Sequence, residues 1–442
     1  MNFFQQPFSL TAVRCLALLA VFICSARLPA AEPTPLDTLV AETVANNPEL
    51  NFYEAEIAAA KGGRMAAGEW ANPELSGEFG NKQVRALGGN KIGDGPVWSV
   101  SLSQTFEFPG RVNLRKAIAG RQIELAQLGL EQFRATLAMR VRTLGYKVMA
   151  AQQRSEAAQE VAKRFQDLLE VLVQRDAAGV APMLETRIIE ANAFTLNRRA
   201  SEASIAMRDA QFELNQLRGL SVSTPITVAK TNIVLKTPPA LEPLLAAGRT
   251  QNFDIRTRAA ELEQQGLRVK LSENERWPAV ILAPYTAGEK ASDKQREFGL
   301  GVSVPLPLLN QNTGNIQTAK ARQLQAEVSL TAALREVERK IATQLHAYER
   351  RVFEMSKWPP DATEKFRQSA RTADEHYRLG AIPVATYTEL QKQYLDVVDA
   401  LLSTQEEALE SRQQLQLLTG IDLGDLPAKT ESAQPALKPA RK

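Results

Sequence analysis

The residue types that build metal centres are scarce in this chain of 442 residues. Its two histidines, His346 and His376, stand in separate segments and show none of the paired spacing of a zinc-binding helix. Its two cysteines, Cys15 and Cys24, both precede residue 32. Since a transition-metal site needs several such ligands converging on one point, we expect no metal site and no cofactor.

Motifs for phosphate binding and nucleophilic catalysis are also missing from the sequence. No Gly-rich phosphate loop and no nucleophile elbow occurs. Gly299 and Gly301 have dinucleotide-loop spacing, but they fall in an alternating segment that predicts a strand and does not open a helix. We therefore expect the protein not to be an enzyme, and an exported hydrolase is the least favoured alternative.

Residues 1–31 have the features of a secretory signal peptide. Arg14 precedes an apolar run over 15–24, and small residues follow up to Ala31, where cleavage is expected. The run is shorter than the ~20 apolar residues that span a bilayer. A lipid anchor on Cys24 is disfavoured because bulky residues directly precede that cysteine.

The charge and hydrophobicity of residues 32–442 limit the classes of protein to which the chain can belong. Residues 1–31 contain two basic side chains and no acid, so their removal lowers the formal net charge from +3 to +1. This balance gives no electrostatic reason to expect nucleic acid as a partner. No remaining stretch is long and apolar enough for a transmembrane helix, so entry into a membrane would require a β-barrel.

The chain consists of two copies of one unit. At an offset of 205 residues Asn47 matches Asn252, and at an offset of 201 the pair Gly179 and Pro182 matches Gly380 and Pro383. Matched Gly-x-x-Pro turns are not explained by the chance similarity of two helical stretches. The expected organisation is repeat 1 over 32–220, a linker over 221–240, repeat 2 over 241–420 and a disordered tail over 421–442.

Each repeat is expected to begin with one helical segment and a β-hairpin. The helical segments cover 36–70 and 241–277, and the clearer second strands cover 98–106 and 298–306. In these strands large apolar residues alternate with small polar ones over 9 residues, as in a transmembrane β-strand. A half-buried strand of a soluble sheet shows the same alternation and stays open as an alternative. First strands, over 73–79 and 279–285, give weaker signals.

A long helix follows each hairpin. Over 111–178 and 317–379 apolar residues recur in steps of three and four, which predicts a coiled-coil seam about 100 Å long. Trp358-Pro359-Pro360 predicts a kink that repeat 1 lacks. Tight turns at 179–182 and 380–383 then lead into return helices over 183–219 and 384–420.

These elements require several chains. Four short strands cannot close a barrel, and helices with narrow apolar seams need neighbours to cover them. A homo-oligomer that pools its hairpins into one barrel and its helices into one tube satisfies both requirements. Spacing does not decide the number of chains.

Three segments resemble those of a known family. The stretches 103–111 and 302–314 resemble the strand-to-helix junctions of the TolC-type outer-membrane efflux proteins. Their sequences are most similar to those of the CzcC-like heavy-metal branch. Tyr377-Arg378-Leu379-Gly380-Ala381-Ile382 resembles the family's periplasmic helix-tip motif. The resemblance extends over about 36–420 and includes the internal repeat.

The resemblance implies a mainly α fold with a small β part. Long antiparallel coiled-coil helices would form a trimeric α-barrel tunnel in the periplasm, and four strands per chain would contribute to a shared twelve-stranded transmembrane β-barrel in outer-membrane lipid. It also implies a periplasmic adaptor, or membrane fusion protein, and an inner-membrane proton-driven pump of the RND type as partners. The implied docking residues lie at the helix tips and are Gly179, Pro182, Tyr377, Arg378, Gly380 and Pro383.

The resemblance also suggests a pore gate. Many family members carry two aspartates one turn apart near the second tip; here Thr386 replaces the first and Glu389 keeps an acid at the second. Glu185 occupies the position in repeat 1 that corresponds to Thr386. We expect a gate at these residues, with ordinary solvated helix-surface glutamates as the alternative.

Aromatic residues beside the strands are candidates for a membrane-interface girdle, with plain core packing as the alternative. These candidates are Trp98, Phe106, Tyr285 and Phe298.

The expected function is a passive exit duct for divalent heavy-metal cations. The alternatives are the same duct serving drug efflux and a soluble periplasmic coiled-coil adaptor or scaffold, which would leave the alternating hairpins without a role.

Overall fold

The computed structural model describes residues 33–177, 183–229, 235–291, 293–359 and 361–423. The expected signal peptide, nearly all of the expected tail, and the candidates Gly179 and Pro182 lie outside the described residues.

The two repeats contain the same elements in the same order, with one exception in the long helix. In repeat 1 these are α1 (Leu36–Asn46), α2 (Leu50–Ala66), β1 (Glu74–Arg85), β2 (Lys91–Phe106), α3 (Arg111–Ala177) and α4 (Met183–Leu217). In repeat 2 they are α5 (Leu241–Gln251), α6 (Phe253–Asn274), β3 (Val280–Lys290), β4 (Lys294–Ser303), α7 (Thr313–Ser356), α8 (Ala362–Arg378) and α9 (Val384–Thr419). The fold is therefore mainly helical with one small sheet.

The first helical segment of each repeat is two helices, so the prediction of one continuous helix was wrong. In repeat 2 the chain turns at Asn252, whose side-chain oxygen accepts hydrogen bonds from the backbone N–H groups of Asp254 (3.0 Å) and Ile255 (3.3 Å). Its amide nitrogen donates to the carbonyl of Leu418 at 3.0 Å, at the end of α9. One buried asparagine thus caps α6 and ties the start of the repeat to its end.

In repeat 1, where Glu49 is the N-cap of α2, Asn47 makes the same tie between the start and the end of the repeat. Its side-chain oxygen accepts from the N–H of Glu49 at 2.8 Å, and its amide donates to the carbonyl of Leu217 at 2.8 Å. The asparagine side chain offers the backbone a partner outside the helix, and this local competition ends α1.

The long helix is continuous in repeat 1 and broken in repeat 2. As predicted, α3 runs unbroken, over 67 residues. The predicted kink at Trp358-Pro359-Pro360 is a full break, because α7 ends at Ser356 and α8 begins at Ala362. Neither proline has an N–H to donate, and both rings would collide with the preceding turn of a continuing helix. The helix therefore ends instead of bending.

The four strands form one antiparallel sheet in the order β1-β2-β3-β4. The β2–β3 pairing joins the hairpins of the two repeats. Strand β2 begins at Lys91, seven residues before the predicted start at Trp98. The segment 91–97 contains glycine and proline and has no alternating pattern, but its backbone still pairs with β1. Strand β4 ends before the predicted boundary, at Ser303, two residues ahead of Pro305, which has no N–H to donate.

Buried side chains form three separate clusters. The first-repeat core lies between α1, α3 and α4 and includes Leu39, Val141 and Leu214. The second-repeat core lies between α5, α7 and α9 and includes Ile341 and Tyr348. The shared core lies near the far end of the long helices and takes residues from α3, α4, α8 and α9, hence from both repeats.

Within the described ranges, no helix combines the length and the hydropathy that crossing a membrane requires. The same ranges contain no group of three or more histidine, cysteine, aspartate or glutamate side chains placed to hold a metal ion. Both histidines are exposed, His346 on α7 and His376 on α8.

Candidate functional site

One face of the sheet is apolar and exposed. Residues paired directly across an antiparallel sheet point to the same side, so the register assigns each side chain to a face. The most exposed of its large side chains are Phe79 at 83% and Phe298 at 81%. We call this the apolar face, and its exposed large side chains are Leu75, Phe79, Trp98, Leu102, Phe106, Phe298, Leu300 and Val302.

The opposite face is polar and acidic. One row across all four strands consists of Glu78, Ser99, Ala287 and Glu297. Toward the hairpin turns, Lys82 and Glu289 form an ion pair at 2.6 Å on the same side of the sheet. A cavity of about 330 Å³ lies over this region and is lined by the carboxylate-bearing residues of the row and by Glu289. We call this the polar face.

The register separates the candidate interface aromatics. Trp98, Phe106 and Phe298 share the apolar face, as a girdle requires. Tyr285 lies on the polar face, paired with Ser101, and its ring occupies the space beside Gly299. Neighbouring residues in a strand point to opposite faces of the sheet. The presence of an aromatic residue beside a strand therefore does not show which face it occupies.

More aromatic side chains lie where the sheet meets the helices. Trp70 packs edge-on against Phe106, with ring centroids 6.1 Å apart. Phe108 stacks on Trp277 at 5.6 Å. All four side chains are exposed in the single chain, so the apolar face ends in a cluster of aromatic rings at this border.

The strand-to-helix junctions of both repeats donate hydrogen bonds to the C-terminal end of α6. The Arg111 guanidinium donates to the carbonyl oxygens of Trp277 (2.7 Å) and Asn274 (3.2 Å). The side chain of Asn312, which has a left-handed backbone (φ 59°), donates to the carbonyl of Ser272 at 2.8 Å. Positively charged and amide donors suit the carbonyl end of a helix. The two motif-bearing segments from the sequence thus meet at one point.

The second helix tip is a tight turn at Gly380. Its φ is +73°, so the predicted left-handed conformation is confirmed. Gly380 N–H donates to the carbonyl of Tyr377 (2.9 Å), and Ala381 N–H donates to that of His376 (2.8 Å). This is the hydrogen-bond pattern of a Schellman motif, which satisfies the last carbonyls of α8. Pro383 then immediately precedes α9.

An aromatic stack lies behind this turn. The fully buried ring of Tyr387 lies between Phe165, 5.1 Å away, and Tyr377, 4.9 Å away. Its hydroxyl donates to Asp374 at 3.2 Å, and Arg378 pairs with the other oxygen of Asp374 at 2.8 Å. Tyr377 is therefore half-buried, whereas Arg378 is exposed.

Tyr387 was not among the site residues predicted from the sequence. The signal available was its place in the apolar series Tyr387, Tyr394 and Val398 of α9, all of which are buried. The partner Phe165 is 222 residues away, so spacing alone could not show the stack.

The gate candidates lie on two helices. Thr386 and Glu389 are exposed on α9, one turn apart, and Glu389 accepts a hydrogen bond from Gln393 at 3.0 Å. Glu185 is half-buried on α4.

Comparison with known proteins places these features in context. The family model described as "Outer membrane efflux protein" matches residues 39–220. The nickel-cobalt-cadmium resistance protein NccC of Alcaligenes xylosoxydans xylosoxydans is 25% identical over 328 residues, which cover 73% of this chain and 72% of the relative. The cobalt-zinc-cadmium resistance protein CzcC of Cupriavidus metallidurans is 26% identical over 306 residues, 66% of this chain and 67% of the relative.

Solved structures agree in fold at low sequence identity. The CmeC outer membrane channel of Campylobacter jejuni superposes with a TM-score of 0.71 at 14% identity, covering 87% of this chain and 85% of the channel. CusC, described as forming a transmembrane channel, gives a TM-score of 0.68 at 15% identity, covering 88% of this chain and 93% of CusC. Over residues 39–220 the chain is thus similar to outer membrane efflux proteins, and its fold is that of solved outer-membrane channels.

Proposed function

We propose that this chain is one subunit of a trimeric exit duct that carries divalent heavy-metal cations across the outer membrane. Outer membrane efflux proteins, to which the chain is similar over 39–220, are channels of tripartite efflux systems, and such channels are not enzymes. The observation that carries the proposal is the exposed apolar face of the sheet, backed by an acidic polar face.

An apolar face with eight exposed large side chains is expected to contact lipid or another protein. Monomeric soluble proteins rarely expose a contiguous apolar patch of more than a few hundred Å². Strands β1 and β4 each have one free edge in the described sheet. Three copies joined edge to edge give twelve strands, with the apolar face toward lipid and the polar face toward a lumen, as in outer-membrane barrels. A soluble adaptor would leave this face uncovered.

The substrate class is inferred from charge and from the relatives. Where the register is regular, the polar face carries Glu74, Glu78, Glu289 and Glu297 against one basic residue, Lys82, so the lumen would favour cations over anions. The names of the two relatives refer to resistance to nickel, cobalt and cadmium and to cobalt, zinc and cadmium. Divalent transition-metal cations are the class that fits both observations.

The partners follow from the same proposal. A periplasmic adaptor would contact the helix tips, where Arg378 and Leu379 are exposed beside the Gly380 turn. An inner-membrane proton-driven pump of the RND type would supply the energy, since the chain itself has no energy-coupling motif.

Deletion of the gene from its host tests the proposal. The minimal inhibitory concentrations of cobalt, zinc and cadmium are expected to fall several-fold and to recover on complementation. Fractionation is expected to place the protein in the outer membrane as a detergent-soluble trimer. Unchanged metal tolerance would contradict the substrate class, and recovery in the soluble periplasmic fraction would instead support the adaptor.

Gly380→Val is expected to reduce efflux while trimer assembly survives. A Cβ at this position meets no atom within 4 Å, so the effect comes from backbone strain alone. A β-branched residue is a genuine outlier at positive φ, whereas asparagine tolerates that conformation. Gly380→Asn is thus the matched control and is expected to retain resistance. Wild-type resistance in the valine variant would show that this turn does not form the docking contact.

Removal of the gate acids is expected to change ion selectivity. One Glu389 per chain gives three carboxylates around the axis of a symmetric trimer, and carboxylate rings select cations. Single-channel recordings of Glu389→Gln, alone and with Glu185→Gln, are expected to show weaker cation selectivity and weaker block by divalent ions. Thr388→Ser on the same turn is the control. Unchanged selectivity and block in the double variant would place the constriction elsewhere.

A further inference from the structure

Basic side chains extend the apolar face toward the hairpin turns, at the end of the sheet farthest from the helices. The register pairs Gly288 with both Trp98 and Arg296, so Arg296 lies on the apolar face. Lys290 comes two residues after Gly288 and therefore points to the same side. Lys294 is paired directly with Lys290 and shares that side. All three basic side chains are exposed, and we call Lys290, Lys294 and Arg296 the basic rim.

The basic rim differs from the other lysines near the turns in its lack of an acidic partner. Lys82 pairs with Glu289 at 2.6 Å, and Lys91 pairs with Asp94 at 2.6 Å. Among the residues that the structure describes, no ion pair involves the basic rim. Asp293, the nearest acid along β4, accepts hydrogen bonds from Gln295 at 3.4 Å. The three positive charges are thus not neutralised by the described part of the chain.

Their arrangement also brings like charges together. Lys290 and Lys294 are directly opposite each other on β3 and β4. Like charges in this position destabilise a strand pair. Arg296 adds a third positive charge two residues along β4. A bound anion would replace this repulsion with attraction, so the register favours an anionic partner.

The position of the basic rim along the sheet matches the headgroup level of a membrane. On β2 the apolar face runs from Phe106, at the border with the helices, to Trp98, eight residues away. At about 3.4 Å per residue this is about 27 Å along the strand. A strand tilt of about 40° reduces the height to roughly 20 Å, close to the ~25 Å apolar band of outer-membrane barrels. Arg296, in the row of Trp98, therefore lies at the outer edge of this band.

Apolar and basic side chains meet within a few residues at this edge. The ring of Trp98 lies over Gly288, where a Cβ would come within 2.7 Å of the indole nitrogen. The row thus continues from an aromatic ring directly to Arg296. Phe298, the next apolar-face residue of β4, is 81% exposed. A soluble anion would use only the charges, whereas an anionic lipid would contact both the charges and the rings.

We propose that the basic rim binds the phosphate groups of a phosphorylated glycolipid of the outer leaflet, the headgroup of lipid A, whose acyl chains lie on the apolar face. Guanidinium and ammonium groups are both strong phosphate ligands. The inference rests on the proposed function, because an outer-membrane duct with its helices in the periplasm places the hairpin turns in the outer leaflet. It adds a lipid partner that the transport of cations does not itself require.

Native mass spectrometry of the full-length chain in detergent tests the proposal. The probe is lipid A with both phosphates, and the reference lipid is lipid A from which both have been removed. The wild-type chain is expected to bind the phosphorylated form at least tenfold more tightly. The triple variant Lys290→Gln, Lys294→Gln and Arg296→Gln is expected to lose this preference, since each basic residue near an anionic lipid strengthens binding about fivefold. Glutamine also removes the cross-strand repulsion, so the variant is expected to fold.

Lys82→Gln is the matched control, because Lys82 lies near the same turns but on the polar face. It is expected to keep the preference for the phosphorylated lipid. Inorganic phosphate at millimolar concentration is expected not to displace the lipid, because it has no acyl chains. Displacement by inorganic phosphate would show a site for free anions and would overturn the proposal. An equal loss of preference in Lys82→Gln would show a response to net charge alone and would also overturn it.

The lipid site and the proposed function fail in different measurements. Equal binding of the two lipids by the wild-type chain, or an undiminished preference in the triple variant, would overturn the lipid site. Either result in a chain that is recovered in the outer membrane and confers metal resistance would leave the duct intact. Recovery of the wild-type chain in the soluble periplasmic fraction would overturn both.

Discussion

Tyr387→Ala is expected to destabilise the protein by about 3–5 kcal/mol, the range for deletion of a large aromatic side chain from a core. The ring is fully buried and stacked on both sides, by Phe165 and Tyr377. Its removal leaves a cavity between these two rings. The measurement is the denaturant midpoint of the detergent-solubilised protein, followed by far-UV circular dichroism.

Tyr387→Phe separates packing from hydrogen bonding. It keeps the stacked ring and loses only the hydroxyl bond to Asp374, so the expected loss is about 0.5–1.5 kcal/mol. A phenylalanine variant as unstable as the alanine variant would show that the hydroxyl, not the ring, dominates.

The wild-type chain and Tyr387→Phe should also respond differently to alkaline pH. Burial raises the pKa of the Tyr387 phenol, and the neighbouring Asp374 carboxylate raises it further. The unfolded chain loses the proton near pH ~10 and the folded chain only at higher pH. Stability that is fully present below pH ~10 is therefore lost as the pH rises above it, and Tyr387→Phe should reduce that loss. Part of it should remain, because burial also raises the pKa of Tyr348 and Tyr394.

Asn252→Leu is expected to cost about 2–4 kcal/mol, because two interactions disappear together. The cap of α6 is lost, and the carbonyl of Leu418 loses its side-chain donor in a buried position. Thermal unfolding of the purified protein measures the effect.

Asn252→Asp and Asn47→Leu are the controls for this prediction. The aspartate keeps the cap but cannot donate to Leu418, so an intermediate loss is expected. Asn47→Leu removes the hydrogen bonds to Leu217 and Glu49 but no cap of α2, so its effect should be smaller than that of Asn252→Leu. A neutral result in both leucine variants would show that water replaces the asparagine side chain.

The sequence predicted helix type and length well wherever one periodic seam continued. Helix α3 is described over Arg111–Ala177, and its buried apolar residues continue in steps of three and four as far as Leu172. The repeat comparison matched Asn47 with Asn252 but did not show that they divide the first helical segment. That outcome depends on the carbonyls of Leu217 and Leu418, which are about 170 residues away in the chain.

The candidate site was predictable in part. Alternation along β2 and β4 identified the apolar face, and the register confirmed it for Trp98, Phe106 and Phe298. Tyr285 could not be assigned a face, because the first strand of repeat 2 gave no clear alternation. The role of Tyr387 depends on a contact between the two repeats, and spacing within either repeat carries no information on such contacts.

The two free edges of the sheet have a genetic consequence. Strands β1 and β4 present unpaired backbone groups beside an exposed apolar face, and such edges tend to pair with any strand available. In the proposed trimer, every subunit must pair its β1 with one neighbour and its β4 with the other before the barrel closes. One subunit with a damaged edge would therefore inactivate two normal ones. Proline substitutions in β1, such as Gly77→Pro, should behave as dominant-negative alleles when expressed beside the wild-type gene, whereas a deletion should be recessive.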